Sequence, residues 1–370
     1  MAAIRRIGIL TGGGDCPGLN AVIRAIVKAG ILLGGLEVIG IEDGYLGLIE
    51  NRMRPLTSDD VSGLLVVGGT ILGSSNKANP KKFAVMQDGH WVYQDVTEQV
   101  LQHCRANGLE ALIVIGGDGT MEGAANLIEH GLRIIGVPKT IDNDLEGTEI
   151  TFGHDTAVAT ATDALDKVHT TASSHHRVLV VELMGRYAGW LALRAGLASG
   201  ADVILIPEIP FSLDCVAEKC VRRSRVGKRF TIIAAGEGAH PVGGQMIVDR
   251  IVKDSPDPIR LGGVAKYVAE EVEKRTGIES RSMVLGYIQR GGIPTAHDRI
   301  LATMLAHHAV ELLLAERFGE LVVVRNNQIG SVPITSIAGK VRTVASDNQC
   351  LLAARALGTC FGDCKTDAPA

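Results

Sequence analysis

The stretch ALIVIGGDGTMEGAANLIE, residues 111–129, decides the fold. It begins with a run of apolar, mostly β-branched residues, passes through the glycine turn GGDGT and continues as a helical pattern over Met121–Glu129. A strand that is apolar throughout is typical of a parallel sheet with helices on both faces, because neither face of the strand meets water. The stretch therefore predicts one strand–turn–helix unit of such a sheet.

The same unit recurs along the 370 residues. Further strands are predicted at RRIGILTGG, LEVIGIEDGY, RIIGVPKT, RVLVVELMG, DVILIPE and RFTIIAAGEG. Further helices are predicted over Gly18–Leu33, Thr97–Asn107, Thr156–Thr171, Trp190–Ala198, Leu213–Val226, Gly263–Lys274 and Arg299–Arg317. This alternation predicts an α/β fold with doubly wound, mostly parallel sheets, and the chain is long enough for two lobes. The polar segment Val242–Pro258 predicts a surface excursion.

Composition and charge argue against several classes of protein. The net charge of −4 and the pI of about 6.3 do not favour a large nucleic-acid-binding surface. The N-terminal apolar run is too short for a signal peptide, and no apolar stretch is long enough for a membrane span. Seven scattered cysteines without a C-x-x-C pattern suggest free thiols in a reducing compartment. We therefore expect a soluble, cytoplasmic protein that binds neither nucleic acid nor membranes.

Most of the predicted strands end in a polar or glycine-rich turn, and open α/β sheets bind ligands at the carboxyl ends of their strands. In TGGGDCPG, residues 11–18, the glycines allow close backbone approach, and the helix that follows offers amides to an anion. In GGDGT, Asp118 adds a carboxylate suited to the Mg²⁺ of a nucleotide phosphate, and Gly119 leaves space beside it. The alternatives are a tight turn without a ligand and an acidic helix N-cap.

The turn PKTIDND, residues 138–144 and here called the acidic turn, places a lysine and two carboxylates beside an apolar strand. A hydroxyl that attacks a phosphoryl group must lose its proton, and a carboxylate within hydrogen-bond reach can accept it. Asp142 is the candidate base, with Asp144 and Asp118 near the metal. A turn that is merely rich in Asp and Asn is the alternative.

Four arginines at strand ends or turns suggest an acceptor that itself carries a phosphate, because a guanidinium binds two phosphate oxygens at once. They are Arg177, Arg186, Arg281 and Arg290. We expect them on the same edge of the sheets as the glycine turns. Glu237, in the turn GEG, is then a candidate ligand of a sugar hydroxyl.

The motifs GGGDCPGLNAVIR, VIGGDGT, PKTIDNDL, VELMGRYAGWLAL and VLGYIQRGGIPTAHDRILA follow one another along the chain. Together they resemble the 6-phosphofructokinase family, and RALGTCFGD and the excursion resemble its longer bacterial subgroup. The resemblance implies two Rossmann-like lobes with the active site in the cleft between them. The phosphoryl-donor lobe would comprise residues 1–153 and about 289–340, and the fructose 6-phosphate lobe residues 154–288 and about 341–370. A homo-oligomer is also implied, with a tetramer expected, whose subunits share sites.

The resemblance further implies that MgATP phosphorylates the 1-hydroxyl of fructose 6-phosphate, with Asp142 as base and Asp118 as Mg²⁺ ligand. The implied catalytic residues are Gly13, Lys139, Thr140, Asp142, Asp144 and Arg186. Those implied at the donor are Gly13, Asn76, Lys77, Gly117, Asp118, Gly119 and Thr120. Those implied at the acceptor are Thr140, Asp142, Met184, Gly185, Arg186, Glu237, Tyr287 and Arg290, with Arg177 and Arg281 from a neighbouring subunit.

Two positions bear on the donor. Gly119 is typical of ATP-dependent members, since an aspartate there would block the nucleotide, whereas Lys139 is typical of pyrophosphate-dependent members. Exclusion is the stronger effect, so we expect ATP, with pyrophosphate as the alternative. Asn76 stands where the family usually has an arginine, and Lys77 is its candidate replacement. A non-catalytic sugar-phosphate-binding subunit is a third hypothesis, supported only by Asn76, while NAD and lipid kinases would explain GGDGT alone.

Overall fold

The computed structural model describes residues 4–365. The strands are β1 (Arg6–Thr11), β2 (Glu37–Ile41), β3 (Met53–Leu56), β4 (Phe83–Gln87), β5 (His90–Gln94), β6 (Ala111–Gly116), β7 (Ile134–Pro138), β8 (Val178–Leu183), β9 (Val203–Leu205), β10 (Thr231–Gly236), β11 (Val248–Ile251), β12 (Ile259–Leu261), β13 (Ser280–Val284), β14 (Glu320–Arg325) and β15 (Gln328–Pro333). The helices are α1 (Leu19–Gly34), α2 (Tyr45–Glu50), α3 (Thr97–Ala106), α4 (Asp118–Glu129), α5 (His154–His175), α6 (Trp190–Ala198), α7 (Leu213–Arg225), α8 (Val264–Thr276), α9 (Ala296–Leu314), α10 (Ile334–Ile337) and α11 (Gln349–Ala356). Every predicted strand and helix is present, although helix ends differ by a few residues. None of the helices within residues 4–365 is both long and apolar enough to cross a membrane.

The larger sheet has the strand order β15-β14-β7-β6-β1-β2-β3. Its five central strands are parallel, and β15 and β3 close the two edges as antiparallel strands. All of β6 is buried: Ile113 and Ile115 pack with α1 and α9, whereas Leu112 and Val114 pack with α3 and α4. Because successive side chains of a strand point to opposite faces, this burial requires helices on both faces. The predicted doubly wound fold is confirmed.

The smaller sheet has the order β13-β8-β10-β9, and all its pairings are parallel. Val178 and Val180 of β8 pack against α7 and α8, whereas Leu179 and Val181 pack against α5 and α6. The chain then returns to the larger sheet through α9, which packs against α1. The fold therefore has two parallel sheets, each covered on both faces.

Two small hairpins stand apart from these sheets. One is β4–β5; the other is β11–β12, here called the excursion hairpin (residues 248–261), which overlaps the predicted surface excursion and extends three residues beyond it. The two hairpins touch, since Tyr93 Oη lies 3.0 Å from the carbonyl oxygen of Lys253 and 3.1 Å from that of Ser255. The predicted surface position of the excursion is confirmed. In addition, the excursion contacts the β4–β5 hairpin, which is inserted between β3 and β6 of the larger sheet.

The prediction of free thiols is wrong for one pair, because Cys215 and Cys364 form a disulfide. The two residues are 149 positions apart in sequence and 5.4 Å apart at their Cα atoms, so their spacing along the chain gave no sign of the pairing. Cys16, Cys104 and Cys220 are buried free thiols. The cysteine pattern therefore does not argue for a reducing compartment.

Candidate active site

The turns that follow β1, β6 and β7 meet at one edge of the larger sheet. The three strands are neighbours and run parallel, so their carboxyl ends lie side by side. The amide of Gly12 donates to the carbonyl of Ile115 at 2.9 Å, and that of Lys139 donates to the carbonyl of Gly116 at 3.0 Å. These bonds join the two glycine turns and the acidic turn into one surface.

The first glycine turn is shaped for close backbone approach. Gly13 has a φ of +78°, in the left-handed region that favours glycine. A Cβ at Gly12 would lie 2.7 Å from the methyl group of Thr120, so a larger residue would push this turn away from α4. Lys139 is 3% exposed, and its Nζ donates to the carbonyl of Gly14. Burial lowers the pKa of this lysine, which lies where it can meet an anion on the glycine turn.

The second glycine turn leads directly into Asp118, the first residue of α4. A Cβ at Gly117 would lie 3.4 Å from the carbonyl oxygen of Lys139, so this turn lies against the acidic turn. A Cβ at Gly119 would meet nothing within 4 Å. The open space that the sequence analysis required beside Asp118 is therefore present.

Asp118 and the acidic turn offer oxygen ligands suited to Mg²⁺. The pKa of Asp142 is raised first by burial and further by the charge of Asp118. One oxygen of Asp142, Oδ1, is buried and has no hydrogen-bond partner among residues 4–365. Within residues 4–365, no group of three or more His, Cys, Asp or Glu is arranged to hold a metal by itself. These residues fit Mg²⁺, which proteins usually bind through one or two carboxylates. Phosphate oxygens and water molecules supply its other ligands.

The acidic turn is folded around Asn143, whose φ of +53° lies in the left-handed region. Asparagine tolerates this conformation better than most residues, and its Oδ1 accepts the amide of Thr151 at 3.0 Å. The neighbouring carboxyls are hard to ionise. Burial raises the pKa of Asp144 to about 8, and the charges of Asp142 and Asp118 contribute to the rise. A carboxylate that must accept a proton near neutral pH needs a raised pKa of this kind.

Three cations act on Asp142 from different parts of the fold. Arg290, Lys139 and Arg186 each lower its pKa, against the effect of burial. Arg290 Nη1 donates to the carbonyl of Asp15 at 3.0 Å, which ties the turn after β13 to the first glycine turn. Arg186 follows β8 of the smaller sheet. The acidic turn therefore meets positive charge from both sheets.

The carboxyl ends of β8 and β10 bring the predicted sugar ligands to the same place. Gly185 has a φ of +124°, and a Cβ at Gly238 would collide with the carbonyl oxygen of Arg186. The amide of Glu237 donates to the carbonyl of Leu183 at 2.8 Å. Burial, and to a smaller extent the charge of Asp142, raises the pKa of Glu237 to about 7. The sheets thus meet at a cluster that combines Asp142 with Arg186 and Glu237.

Arg177 and Arg281 do not lie at this edge, which corrects the prediction that all four arginines share it. Arg177 precedes β8 and Arg281 is the second residue of β13, so both lie at the amino ends of parallel strands. A strand of six residues, such as β8, separates its two ends by roughly 20 Å. Both arginines pair with Glu279, at 2.8 Å and 2.6 Å. Within one chain they are not brought to the acidic turn.

Three further predicted residues lie outside the buried cluster. Tyr287 is 72% exposed, on the short turn Gly286–Arg290. Asn76 is exposed, and the exposed Lys77 pairs through Nζ with Asp254 Oδ2 at 2.6 Å. These residues border the site without forming its buried centre.

Sequence reasoning missed the part played by the excursion hairpin. Arg186 Nη2 pairs with Asp257 Oδ1 at 2.8 Å, and Lys77 pairs with Asp254 of the same segment. The signal was present in KDSPDP, residues 253–258, where two carboxylates stand three positions apart. Nothing in the sequence, however, indicates which cations those carboxylates meet, because both contacts are long-range.

Comparison with known proteins agrees with this geometry. A family model described as Phosphofructokinase matches residues 6–313. An "ATP-dependent 6-phosphofructokinase 2" of Clostridium perfringens is 48% identical over 98% of this chain and 100% of its own length. A "Pyrophosphate--fructose 6-phosphate 1-phosphotransferase" of Amycolatopsis methanolica is also 48% identical, over 92% of this chain and 96% of its own length.

A solved structure extends the comparison to three dimensions. The crystal structure of Pichia pastoris phosphofructokinase in the T-state matches 91% of this chain with a TM-score of 0.77 at 32% identity. This chain spans 36% of that longer one. Because the family model covers most of the chain and the relatives align over nearly its full length, the chain belongs to the phosphofructokinase family.

Proposed function

We propose that the protein is an ATP-dependent 6-phosphofructokinase. It transfers the γ-phosphoryl group of MgATP to the 1-hydroxyl of fructose 6-phosphate and gives fructose 1,6-bisphosphate and ADP, a step of glycolysis. The observation that carries the proposal is the acidic turn beside two glycine turns, where the positive charges of Arg290, Lys139 and Arg186 act on Asp142. The names of close relatives support the same reaction.

Asp142 is the general base of the proposed reaction. As the 1-hydroxyl oxygen attacks the γ-phosphorus, its proton passes to the carboxylate of Asp142, and the bond from phosphorus to the leaving ADP oxygen breaks. The buried Oδ1, which has no partner among residues 4–365, is the oxygen available for that proton. The backbone amide of Asp142 donates to Thr140 Oγ1 at 3.1 Å, which fixes the backbone of the turn at this residue. Asp144 completes this part of the site.

Positive charge around the transferring group is the second part of the mechanism. The transition state of phosphoryl transfer is loose, so positioning and neutralisation of charge supply most of the rate. Lys139, Arg186 and the amide of Gly13 are placed to meet the phosphoryl oxygens. Asp118 would hold Mg²⁺, which neutralises charge on the donor phosphates when bound.

The acceptor is proposed to bind along the smaller sheet. Met184, Gly185 and Glu237 contact the sugar, and Arg290 and Tyr287 contact the 6-phosphate. Arg177 and Arg281 reach that phosphate only from a neighbouring subunit, because in their own chain they lie at the amino ends of their strands. We therefore propose a homo-oligomer, a tetramer, in which subunits share sites.

The donor is proposed to lie along Gly117–Thr120, with Asn76 and Lys77 at its edge. The open space at Gly119 supports a nucleotide in preference to pyrophosphate. Pyrophosphate is the second candidate donor, because Lys139 faces the first glycine turn and one close relative carries that name. The non-catalytic alternative has no support beyond Asn76.

The division into lobes and the location in the cell follow from this proposal. The donor lobe comprises residues 1–153 and about 289–340, and the acceptor lobe comprises residues 154–288 and about 341–370. The active site lies in the cleft between them, and the enzyme works in the cytoplasm, where its substrates are. It needs no nucleic acid and no membrane.

A two-donor assay tests the proposal. Purified protein with Mg²⁺ and fructose 6-phosphate is given either ATP or pyrophosphate, and fructose 1,6-bisphosphate is measured. We expect product with ATP. Product with pyrophosphate but not with ATP would show that pyrophosphate is the phosphoryl donor. No product with either compound would reject the proposed reaction.

Asp142→Asn removes the base and keeps the shape of the side chain. We expect kcat to fall by about 10²–10⁴, the usual effect of losing a general base, while the fold stays intact by circular dichroism. Asp166→Asn, an exposed change on α5, is the matched control and leaves kcat unchanged. Turnover near that of the wild type in Asp142→Asn would remove this residue from the base role.

Gly119→Asp fills the open space beside Asp118 with a carboxylate. We expect kcat/KM for ATP to fall by about tenfold or more relative to kcat/KM for pyrophosphate, since the carboxylate repels and displaces the nucleotide. Gly330→Asp is the control, because a Cβ at Gly330 also meets nothing within 4 Å. An equal loss with both donors would show that Gly119 does not select between them.

Asp257→Asn breaks the ion pair that occupies Arg186. We expect KM for fructose 6-phosphate to fall by about two- to fivefold, the equivalent of one partly exposed ion pair, because the substrate need not displace Asp257. Asp249→Asn, on the same hairpin and without a contact to Arg186, is the control. An unchanged or higher KM would mean that the pair does not compete with the substrate.

A further inference from the structure

We propose that Arg342 and His154 are positioning residues of the reaction, which hold the acidic turn in place through its backbone carbonyls. The inference rests on the proposed role of Asp142 as base. Neither residue is among the site residues predicted from the sequence, and neither is among the groups that act most strongly on the pKa of Asp142. Both act through the shape of the turn.

The backbone carbonyls of the acidic turn are held one after another by groups from outside the turn. Thr140 O accepts from Thr151 Oγ1 at 2.7 Å, and Ile141 O accepts from His154 Nδ1 at 2.6 Å. The two carbonyls that precede Asp142 are thereby fixed, and the residue that follows it, Asn143, has a left-handed φ.

Arg342 holds the other half of the turn. Its Nη2 donates to Asn143 O at 2.7 Å and to Glu149 O at 3.0 Å, and its backbone amide donates to Asp144 O at 2.7 Å. Leu145 and Val341 extend this contact as an antiparallel bridge. A segment close to the C-terminus thus runs beside the turn that carries the base.

The uncharged ring of His154 donates a hydrogen bond to the acidic turn. It is 0% exposed, and burial lowers its pKa to about 3, so the ring is uncharged near neutral pH. A carbonyl oxygen only accepts hydrogen bonds, so the ring hydrogen must lie on Nδ1. The other nitrogen, Nε2, is buried without a hydrogen-bond partner in the described part of the chain. A buried polar atom left unpaired lowers stability, so the protein keeps this histidine at a cost to its stability.

Arg342 also connects the acidic turn to the smaller sheet. Its guanidinium lies 4.1 Å from the ring centre of Trp190, and Trp190 Nε1 donates to the carbonyl of Arg342 at 2.8 Å. Trp190 is the first residue of α6, which packs on the smaller sheet. Burial lowers the pKa of Arg342 to about 10, which leaves it a cation near neutral pH. One arginine therefore sets the position of Asp142 relative to Arg186 and Glu237.

The function of this contact follows from how steeply phosphoryl transfer depends on geometry. A displacement of about 1 Å at a reacting group can cost about 10²-fold in rate. Removing the Arg342 side chain frees the carbonyls of Asn143 and Glu149 and lets the turn relax without removing any group that binds substrate. The rate should then fall while substrate affinity stays the same.

Arg342→Ala is the first test, with Arg325→Ala as the matched control. Arg325 Nε also donates to a carbonyl just past the turn, that of Gly147, at 2.8 Å on the exposed surface. We expect Arg342→Ala to lower kcat by about 10- to 100-fold with KM for fructose 6-phosphate and ATP unchanged, and added guanidinium to restore part of the rate. Arg325→Ala should leave kcat unchanged. Equal changes in both variants, or a KM that rises as kcat falls, would overturn the inference.

His154 gives a second test if Arg342→Ala does not fold. His154→Asn keeps a donor near the position of Nδ1, whereas His154→Phe fills the space without one. We expect Phe to lower kcat by about tenfold or more and Asn to retain most of it. Similar kcat values in the two variants would overturn the role of the hydrogen bond.

Hydrogen exchange separates this inference from the proposed function. Amide exchange in the peptide that covers residues 139–151 is measured without substrate in the wild type, Arg342→Ala and Arg325→Ala. We expect faster exchange only in Arg342→Ala, and unchanged exchange would overturn the positioning role. A wild type that makes no fructose 1,6-bisphosphate would reject the proposed reaction and leave this measurement as the test of the turn.

Discussion

Asp144 is buried and Asp142 is half-buried, and the free energy of removing these two carboxyls from water constrains the residues around them. Burial raises their pKa values, and the nearby charge of Asp118 adds to the effect. Buried charge is tolerated only where opposite charge and hydrogen bonds compensate it. The compensation for Asp142 comes from Arg290, Lys139 and Arg186. These cations are also the groups that phosphates need.

The position of the acidic turn explains why two sheets are required. The glycine turns and Lys139 belong to the larger sheet, whereas Arg186 and Glu237 belong to the smaller one. Charges from both sheets therefore act on Asp142. The excursion hairpin adds negative charge, since Asp257 pairs with Arg186.

Much of the fold was predictable because it depends on local patterns. The apolar run of β6 and the glycine turn after it predicted a strand covered on both faces and a helix, and both are present. The buried centre of the site was predictable for the same reason, since its residues follow strands that share one edge. The sequence did not predict at which edge of the sheet Arg177 and Arg281 lie, because a residue next to a strand can lie at either end of it.

The other features that the sequence did not reveal are long-range. Cys215 and Cys364 are 149 positions apart, and Arg342 meets Asn143 from almost 200 positions away. Each of these contacts joins parts of the chain that are distant in sequence and that only the folded structure brings together. The spacing of residues within a motif predicts local strands, turns and helices. It does not predict contacts between residues that are far apart in the sequence.

The central claim is that the acidic turn is kept for chemistry although its charge opposes folding. It is tested most directly by the free energy of unfolding of the wild type and of Asp142→Asn/Asp144→Asn, measured between about pH 5 and pH 8. Their folded pKa values are raised, so as the pH rises the unfolded chain releases protons that the folded chain retains, and folding loses stability. We predict that the wild type loses stability relative to the double variant by on the order of 1 kcal/mol per pH unit. Parallel pH dependence of the two proteins would contradict the claim.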